Sequence, residues 1–379
     1  MRVLVSGGGT AGHINPALSI ADKIKSVYND AVIEYVGTPN GMENALAMEA
    51  GYKIHHIAVR GFKRKLSFSN VDAAVKAVTS VIKAKKIIKE FNPDIVIGTG
   101  GYVSWPLVKA ASKMKIKTAI HEQNAVPGVT TKMLSKYVDK IMISFESSRA
   151  FLNCDESKII FVGNPVSEKM LKADKKTSRA KLGISPDKTV ILSAGGSLGA
   201  KMVNAAAYEL IKDYSLKNEN IIHFHATGRG GYEEQAILYK ELGFAEMSDD
   251  TLIKDSVTVK KYIYNMDEML SAADIVVCRA GAMTLSEIAC LGKAAVIIPS
   301  PNVTNNHQFK NTKVLVDGEA AVCIEEKDLT GEKLIQEVSK YADNREYRAK
   351  TEENIKKFAV YDTLERIIGV VKELTAKKD

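Results

Sequence analysis

The stretch "GGGTAGHINPALSIA" (residues 7–21) follows directly on the apolar run "RVLVS" (2–6) and passes into an amphipathic segment. A buried strand, a glycine-rich turn and a helix in immediate succession open a Rossmann-type unit. Such a turn presents backbone N–H groups at the positive end of the helix, and glycine lets a ligand approach the backbone closely. The ligand expected there is a phosphate. Gly7, Gly9 and Gly12 also match G-x-G-x-x-G, the dinucleotide fingerprint. That fingerprint wants an acid at the end of the second strand. The second strand, "VIEYVG" (32–37), carries Glu34 in its middle and ends in Gly37, Thr38 and Pro39, which argues against a nicotinamide or flavin site. No G-K-[ST] follows any glycine turn, which argues against Walker-type ATP hydrolysis.

His13 stands at the start of the helix that this turn launches. A histidine is more often structural than catalytic. Here the positive helix end disfavours imidazolium and keeps the ring neutral, able to accept a proton. A neutral imidazole beside a phosphate cradle is placed to act as general base on a hydroxyl.

Working outward, the turn recurs as "GTGGY" (98–102), "SAGGSLGA" (193–200) and "CRAGAMTLSE" (278–287). One such turn is ordinary. Four, shared between two halves, point to two phosphate-bearing ligands. Strand-like runs alternate with helical patterns throughout, and many are continuous Val/Ile stretches, as in parallel strands buried on both faces. In the first half they are "RVLVS", "VIEYVG", "KIHHIAV", "DIVIGTG", "KTAIHE", "KIMISF" and "KIIFVG". In the second they are "TVILSAGG", "IIHFHATG", "VTVKKYI", "DIVVCRAG", "AAVIIPS" and "AAVCIEE". The expected fold is α/β, two doubly wound Rossmann-like domains facing a cleft. The expected boundary falls after "FVG", giving domains 1–163 and 164–360, with the amphipathic segment 361–379 returning to the first.

The chain has 379 residues, enough for two such domains, and its 45% apolar and 26% charged residues are those of a globular protein. No apolar run approaches the ~20 residues of a membrane span, and no signal peptide precedes the first strand, so a cytoplasmic location is expected. The four cysteines lie far apart and form no Cys-x-x-Cys, which reads as buried thiols rather than disulfides or a zinc site. The net charge of +8 is uneven: residues 1–163 hold 22 Lys/Arg against 13 Asp/Glu, and the remainder 31 against 32. A basic first half suits an anionic partner.

Taken together, "GGGTAGHINPALSIA", "GTGGYVSWP", "HEQNAVPG", "VGNPV", "SAGGSLGA", "CRAGAMTLSEI" and "NNHQFKN" resemble one family closely and in order along most of the chain. It is the N-acetylglucosaminyltransferase family of peptidoglycan synthesis, which makes lipid II from lipid I. The resemblance implies the GT-B fold. It implies UDP-N-acetylglucosamine on the C-terminal domain, lipid I on the N-terminal domain, and inverting transfer to the muramyl 4-hydroxyl. His13 would be the base, with Thr10, Ala11, Gly12, Gly100 and Gly101 lining the acceptor side. Glu287 matches the acid that holds the ribose hydroxyls, and one carboxylate can accept from both. Ala282, Met283 and Thr284 would face the diphosphate, with Ser197 as a second phosphate contact. Gln308 and His307 match the donor sugar's contacts, Asn124 would reach the sugar from the other domain, and the backbone of Ile263 would read uracil. No cofactor and no metal ligand set is implied, so UDP binding is expected to need no divalent cation.

The same resemblance places the protein peripherally on the cytoplasmic face of the membrane, with other cell-wall synthesis proteins as partners. Two basic, apolar stretches could carry that contact: "GFKRKLSF" (61–68), and "VDAAVKAVTSVIKAKKIIKEF" (71–91) with Val75, Val78, Val81, Ile82, Ile87 and Ile88 among its lysines. Four positions depart from the family pattern: Ser167 for arginine, Leu198 for glutamine, Trp105 for glycine and Thr131 for asparagine. Rival readings keep the fold but change the role. They are a UDP-sugar 2-epimerase, another glycolipid glycosyltransferase, or a non-catalytic nucleotide-sugar-binding or membrane scaffold protein. A nucleic-acid partner is not expected, since no aromatic-rich basic motif is present.

Overall fold

The Val/Ile runs form two separate, mostly parallel sheets. The computed structural model describes residues 1–59, 69–248 and 250–376, and of 69–78 and 304 the backbone. The chain divides into Met1–Val166 with Asp362–Asp379, and Ser167–Tyr361.

In the first unit the strands are β1 (Arg2–Gly7), β2 (Val32–Gly37), β3 (Lys53–His56), β4 (Ile95–Gly100), β5 (Lys117–Glu122), β6 (Lys140–Ile143) and β7 (Ile159–Phe161). They lie in the order β3-β2-β1-β4-β5-β6-β7, every pair parallel. Side chains alternate between the two faces of each strand. Val3, Val5 and Ile97 therefore meet Ile20 and Ile24 of the helix Ala11–Val27 and Ile367 and Val371 of the helix Thr363–Thr375. Leu4 and Val96 meet Ile87 and Ile88 of the helix Ser69–Phe91 and Leu107 and Val108 of the helix Ser104–Lys113. Each fully buried aliphatic side chain contributes roughly 1.5–3 kcal/mol, and both faces are covered, as a parallel sheet requires.

The second unit holds β8 (Thr189–Ala194), β9 (Ile221–Ala226), β10 (Ala245–Ser248), β11 (Thr251–Lys254), β12 (Val257–Lys260), β13 (Ile275–Cys278), β14 (Ala294–Ile297) and β15 (Val322–Cys323), in the order β10-β11-β12-β9-β8-β13-β14-β15. The edge pairs β10·β11 and β11·β12 are antiparallel. The sequence reading misses β10 and β11. Both are four residues long; β10 is exposed and β11 buries Leu252 alone, so neither carries a readable apolar pattern, and their strand form rests on pairing, β11 with β12 and β10 with β11.

In both units the strand order reverses beside the first strand: between β1 and β4, and between β8 and β13. An open α/β sheet binds its ligands outside the carboxyl ends of the strands at such a switch point. The four glycine-rich turns lie there, two per unit.

Candidate active site

In the first unit, Thr10 caps the helix Ala11–Val27 with extended backbone, and its side chain does not bond the helix's first N–H groups. His13 is in the first turn. Its Nδ1 lies 3.1 Å from the Gly8 carbonyl oxygen and 3.3 Å from Thr10 Oγ1. A carbonyl only accepts, so Nδ1 carries a proton, and whenever the ring is neutral Nε2 is its basic nitrogen. The second turn presses on that ring. A Cβ at Gly100 would stand 2.6 Å from His13 Cδ2 and 2.9 Å from Nε2, and one at Gly101 would collide with the Gly8 carbonyl; both residues have positive φ, 118° and 78°. Replacing Gly100 by alanine is expected to displace the ring, lowering turnover about tenfold or more while UDP still binds. Strain of about 1–3 kcal/mol should appear in the melting temperature.

Buried polar groups fix these turns from beneath. Thr99 Oγ1 donates to the His13 carbonyl (2.6 Å), Ser104 Oγ bridges the Ser6 and Gly100 carbonyls (2.8 and 2.6 Å), and Gln123 Nε2 donates to the Thr99 carbonyl (2.9 Å). His121 of "HEQN" is structural: it faces the Gly163 carbonyl, and burial pushes its pKa down to about 4. Glu122 is a buried hub. It accepts the Asn124 N–H and side-chain amide (both 3.0 Å), the Gly128 N–H (2.9 Å) and the Thr131 hydroxyl (2.5 Å). Asn124 is thereby held in a loop that abuts the glycine turn, where Thr130 Oγ1 donates to the Gly101 carbonyl. Glu34, the acid a dinucleotide would need, is mid-strand and engaged by His55 and Lys53 across β3. The carboxylate that meets the first turn is instead Glu43, which accepts the Gly9 N–H and lies six residues past the end of β2. A search confined to the strand's end overlooks it.

In the second unit the helix Ala282–Leu291 starts at Gly281, which has no side chain to occupy the first-turn N–H groups of Ala282, Met283 and Thr284. Ser197 is exposed in the facing turn after β8, and its carbonyl accepts the Arg229 N–H at 3.1 Å. Glu287, one turn further along the helix, is half-buried and makes no hydrogen bond among the described residues. Burial pushes its carboxyl up to about 7. Ile263 has a buried side chain, and its backbone groups make no hydrogen bond among the described residues. The guanidinium of Arg229 lies 4.7 Å from the neighbouring Tyr262 ring. Gln308 Oε1 accepts the Ser300 N–H at 2.8 Å, its NH2 makes no hydrogen bond among the described residues, and His307 precedes it at the helix start. These residues follow β8, β12, β13 and β14, so one end of the sheet carries them all. A cavity of about 750 Å³ lined by Lys175, Arg179, Asp274 and Arg348 opens at the opposite end, where Lys175, Arg179 and the Val190 N–H saturate Asp274. Among the described residues no group of three His, Cys, Asp or Glu is placed to hold a metal ion.

Known proteins match this arrangement along its whole length. Residues 3–143 match the glycosyltransferase family 28 N-terminal domain and residues 190–367 the family 28 C-terminal domain. The chain is 41% identical to UDP-N-acetylglucosamine–N-acetylmuramyl-(pentapeptide) pyrophosphoryl-undecaprenol N-acetylglucosamine transferase of Bacillus cytotoxicus, covering all of both chains. The chain belongs to glycosyltransferase family 28. The family enzyme of that name from Acetivibrio thermocellus is also 41% identical, over 100% of this chain and 99% of the relative. The crystal structure of Acinetobacter baumannii MurG superposes with a TM-score of 0.76 at 28% identity, covering 98% and 99% of the two chains. A UDP-GlcNAc 2-epimerase from Neisseria meningitidis shares the fold alone, at 14% identity and TM-score 0.66 over 98% of this chain and 100% of that one.

Three of the departures from the family pattern keep a structural role. The Thr131 hydroxyl supplies a donor to Glu122, Ser167 caps the helix Glu168–Leu171 by accepting the Met170 N–H, and Trp105 packs partly buried on the core. Leu198 is 71% exposed and touches nothing that explains it. The membrane-contact reading is corrected in part. Ile87 and Ile88 pack into the core with Phe91, because the helix Ser69–Phe91 covers the sheet, and Val81 is partly buried against the same cluster. Of the described side chains of 71–91, Ile82 stays exposed beside Lys83, Lys85, Lys86 and Lys89. The segment 61–68 and the side chains of Val75, Lys76 and Val78 lie outside the described residues. No helix among the described residues is long and apolar enough to cross a membrane. Cys278 and Cys290 are buried, Cys154 and Cys323 half-buried, and all four are free.

Proposed function

We propose that this protein transfers N-acetylglucosamine from UDP-N-acetylglucosamine to the 4-hydroxyl of the muramyl sugar of undecaprenyl-pyrophosphoryl-MurNAc-pentapeptide. The products are lipid II and UDP, with the anomeric centre inverted. The observation that carries this reading is 41% identity, end to end, with transferases of that name.

His13 Nε2 takes the proton of the acceptor hydroxyl as that oxygen attacks the anomeric carbon from the face opposite UDP. The Gly8 carbonyl holds the Nδ1 proton, so the ring accepts at the nitrogen facing Gly100. The first-turn N–H groups of Ala282, Met283 and Thr284, with Ser197, stabilise the charge growing on the leaving diphosphate. Preorganised donors of this kind are worth about 3–4 kcal/mol each by analogy with oxyanion holes. Glu287 accepts from both ribose hydroxyls, Ile263 reads uracil through its backbone, and the amide NH2 of Gln308 together with His307 orients the sugar. Unit Ser167–Tyr361 is the donor half and Met1–Val166 with Asp362–Asp379 the acceptor half. The enzyme works peripherally on the cytoplasmic face of the membrane, where a lipid-linked acceptor lies. The surplus of basic residues in 1–163 supports contact between that half and an anionic lipid surface.

The test is radiolabelled transfer from UDP-N-acetylglucosamine to lipid I, with and without a chelator. Label is expected in the lipid product at the same rate in both arms. Conversion of the donor to its 2-epimer with no labelled lipid would overturn the reading in favour of an epimerase.

A further inference from the structure

Glu43 is the first residue of the helix Glu43–Glu49 and is fully buried. Its Oε1 accepts the Thr38 N–H (2.8 Å) and the Thr38 hydroxyl (2.7 Å), and its Oε2 faces the Gly9 N–H at 3.4 Å. Among the described residues no cation pairs with it. Burial alone would raise its pKa, but the bonds from Thr38 and Gly9 outweigh burial and hold it below the ordinary carboxyl range. The group is therefore an anion inside the protein, which is costly unless its donors are well placed. Space for it is cleared by glycine: a Cβ at Gly8 would stand 3.0 Å from Oε1, one at Gly37 2.6 Å from Cγ, and one at Gly41 would collide with the carboxylate.

One peptide group joins this anion to the base. The peptide between Gly8 and Gly9 offers its N–H to Glu43 and its carbonyl to His13 Nδ1. We propose that Glu43 is a positioning residue that acts on His13 through the Gly8–Gly9 peptide. The carboxylate orients and polarises that peptide, so its carbonyl holds the Nδ1 proton and makes Nε2 the more basic nitrogen. Hydrogen bonds in series polarise one another in a low-dielectric setting, and a partner on one imidazole nitrogen fixes the tautomer and raises basicity at the other. The arrangement does for His13 what a directly bonded carboxylate does in a hydrolase triad, with a peptide interposed. Tyr35 also faces this loop. Its hydroxyl donates to the Gly7 carbonyl and burial beside Glu43 raises its pKa, so it stays neutral. His56, on the neighbouring strand β3, is bonded to Asn44 Oδ1.

This inference rests on His13 as the base, and the test separates the two. Ring-nitrogen NMR of the full-length wild-type protein should show neutral His13 with its proton on Nδ1. In Glu43→Gln, which keeps the shape and removes the charge, the His13 pKa should fall by about half a unit or more. Turnover should fall about tenfold at an unchanged KM for UDP-N-acetylglucosamine, as removing such outer partners does. Thr38→Ala, which loosens the loop but keeps the anion, should lower the melting temperature and leave the His13 titration in place. A neutral wild-type ring protonated on Nε2 overturns the proposal without any variant. So does an unchanged His13 titration in Glu43→Gln. Undiminished transfer by His13→Asn would overturn the base assignment alone, because the NMR result does not depend on activity.

Discussion

The His13→Asn protein is expected to turn over about 10²–10⁴ times more slowly than wild type while binding UDP unchanged. The side-chain amide of asparagine can still donate to the Gly8 carbonyl, so the turn keeps its bond, but nothing basic remains where Nε2 stood. UDP binding should survive because the proposed nucleotide contacts, Ser197, Ala282–Thr284 and Glu287, belong to Ser167–Tyr361, which has its own sheet and core. The pH profile gives a second readout. Protonation removes the Nε2 lone pair, so wild-type turnover should fall on the acid side as one proton is taken up, and the residual rate of the variant should lack that limb. Steady-state transfer to lipid I and calorimetric UDP binding check both. Turnover within threefold of wild type would falsify the assignment of the base.

Much of this site is legible in the sequence because glycine, phosphate and helix ends are local chemistry. The turns at 7–12 and 278–287 announce themselves, and the strand–helix alternation places them at carboxyl ends. What sequence does not show is pairing across distance. Nothing in "HEQN" says that Gln123 holds the Thr99 carbonyl, which comes from a separate turn, or that the loop 124–131 folds back so that Glu122 gathers four donors from it. Glu43 escapes for the same reason. In "TPNGMENALA" it reads as an ordinary first-turn acid, and only the packing of β1 beside β2 brings Gly8, Gly9 and Gly37 around it. The edge strands β10 and β11 are missed because they owe their structure to pairing, β11 with β12 and β10 with β11, rather than to a pattern in their own residues. Ile87 and Ile88 show the opposite error. A basic, apolar helix reads equally well as a membrane surface or a sheet cover, and burial decides for the sheet.

Glu287→Gln is expected to make the ligand-free protein more stable and its nucleotide affinity about 10²-fold weaker, two effects of opposite sign from one atom. The carboxyl has no hydrogen-bond partner among the described residues, and burial holds its pKa at about 7 instead of 4.5. A folded-state pKa above the unfolded value means that ionisation works against folding. The penalty is absent below pH 4.5, grows as pH rises toward 7, and is fully present above it. Allowing for partial exposure, it amounts to about 2 kcal/mol. Glutamine removes it, so the variant should melt higher than wild type at pH 8 and no differently at pH 4. Binding has the reverse dependence. Two ribose hydroxyls donate best to the ionised carboxylate, and a hydrogen bond to a charged acceptor is worth about 1.5–3 kcal/mol. Wild-type affinity for UDP should therefore weaken about tenfold between pH 8 and pH 6 as the group takes up its proton, whereas Glu287→Gln should bind weakly and with no such slope. A purely structural glutamate would move the two quantities together. An unsatisfied carboxylate that costs stability in the empty protein and is repaired by a diol moves them apart, and paired melting and calorimetry across this pH range distinguish the two.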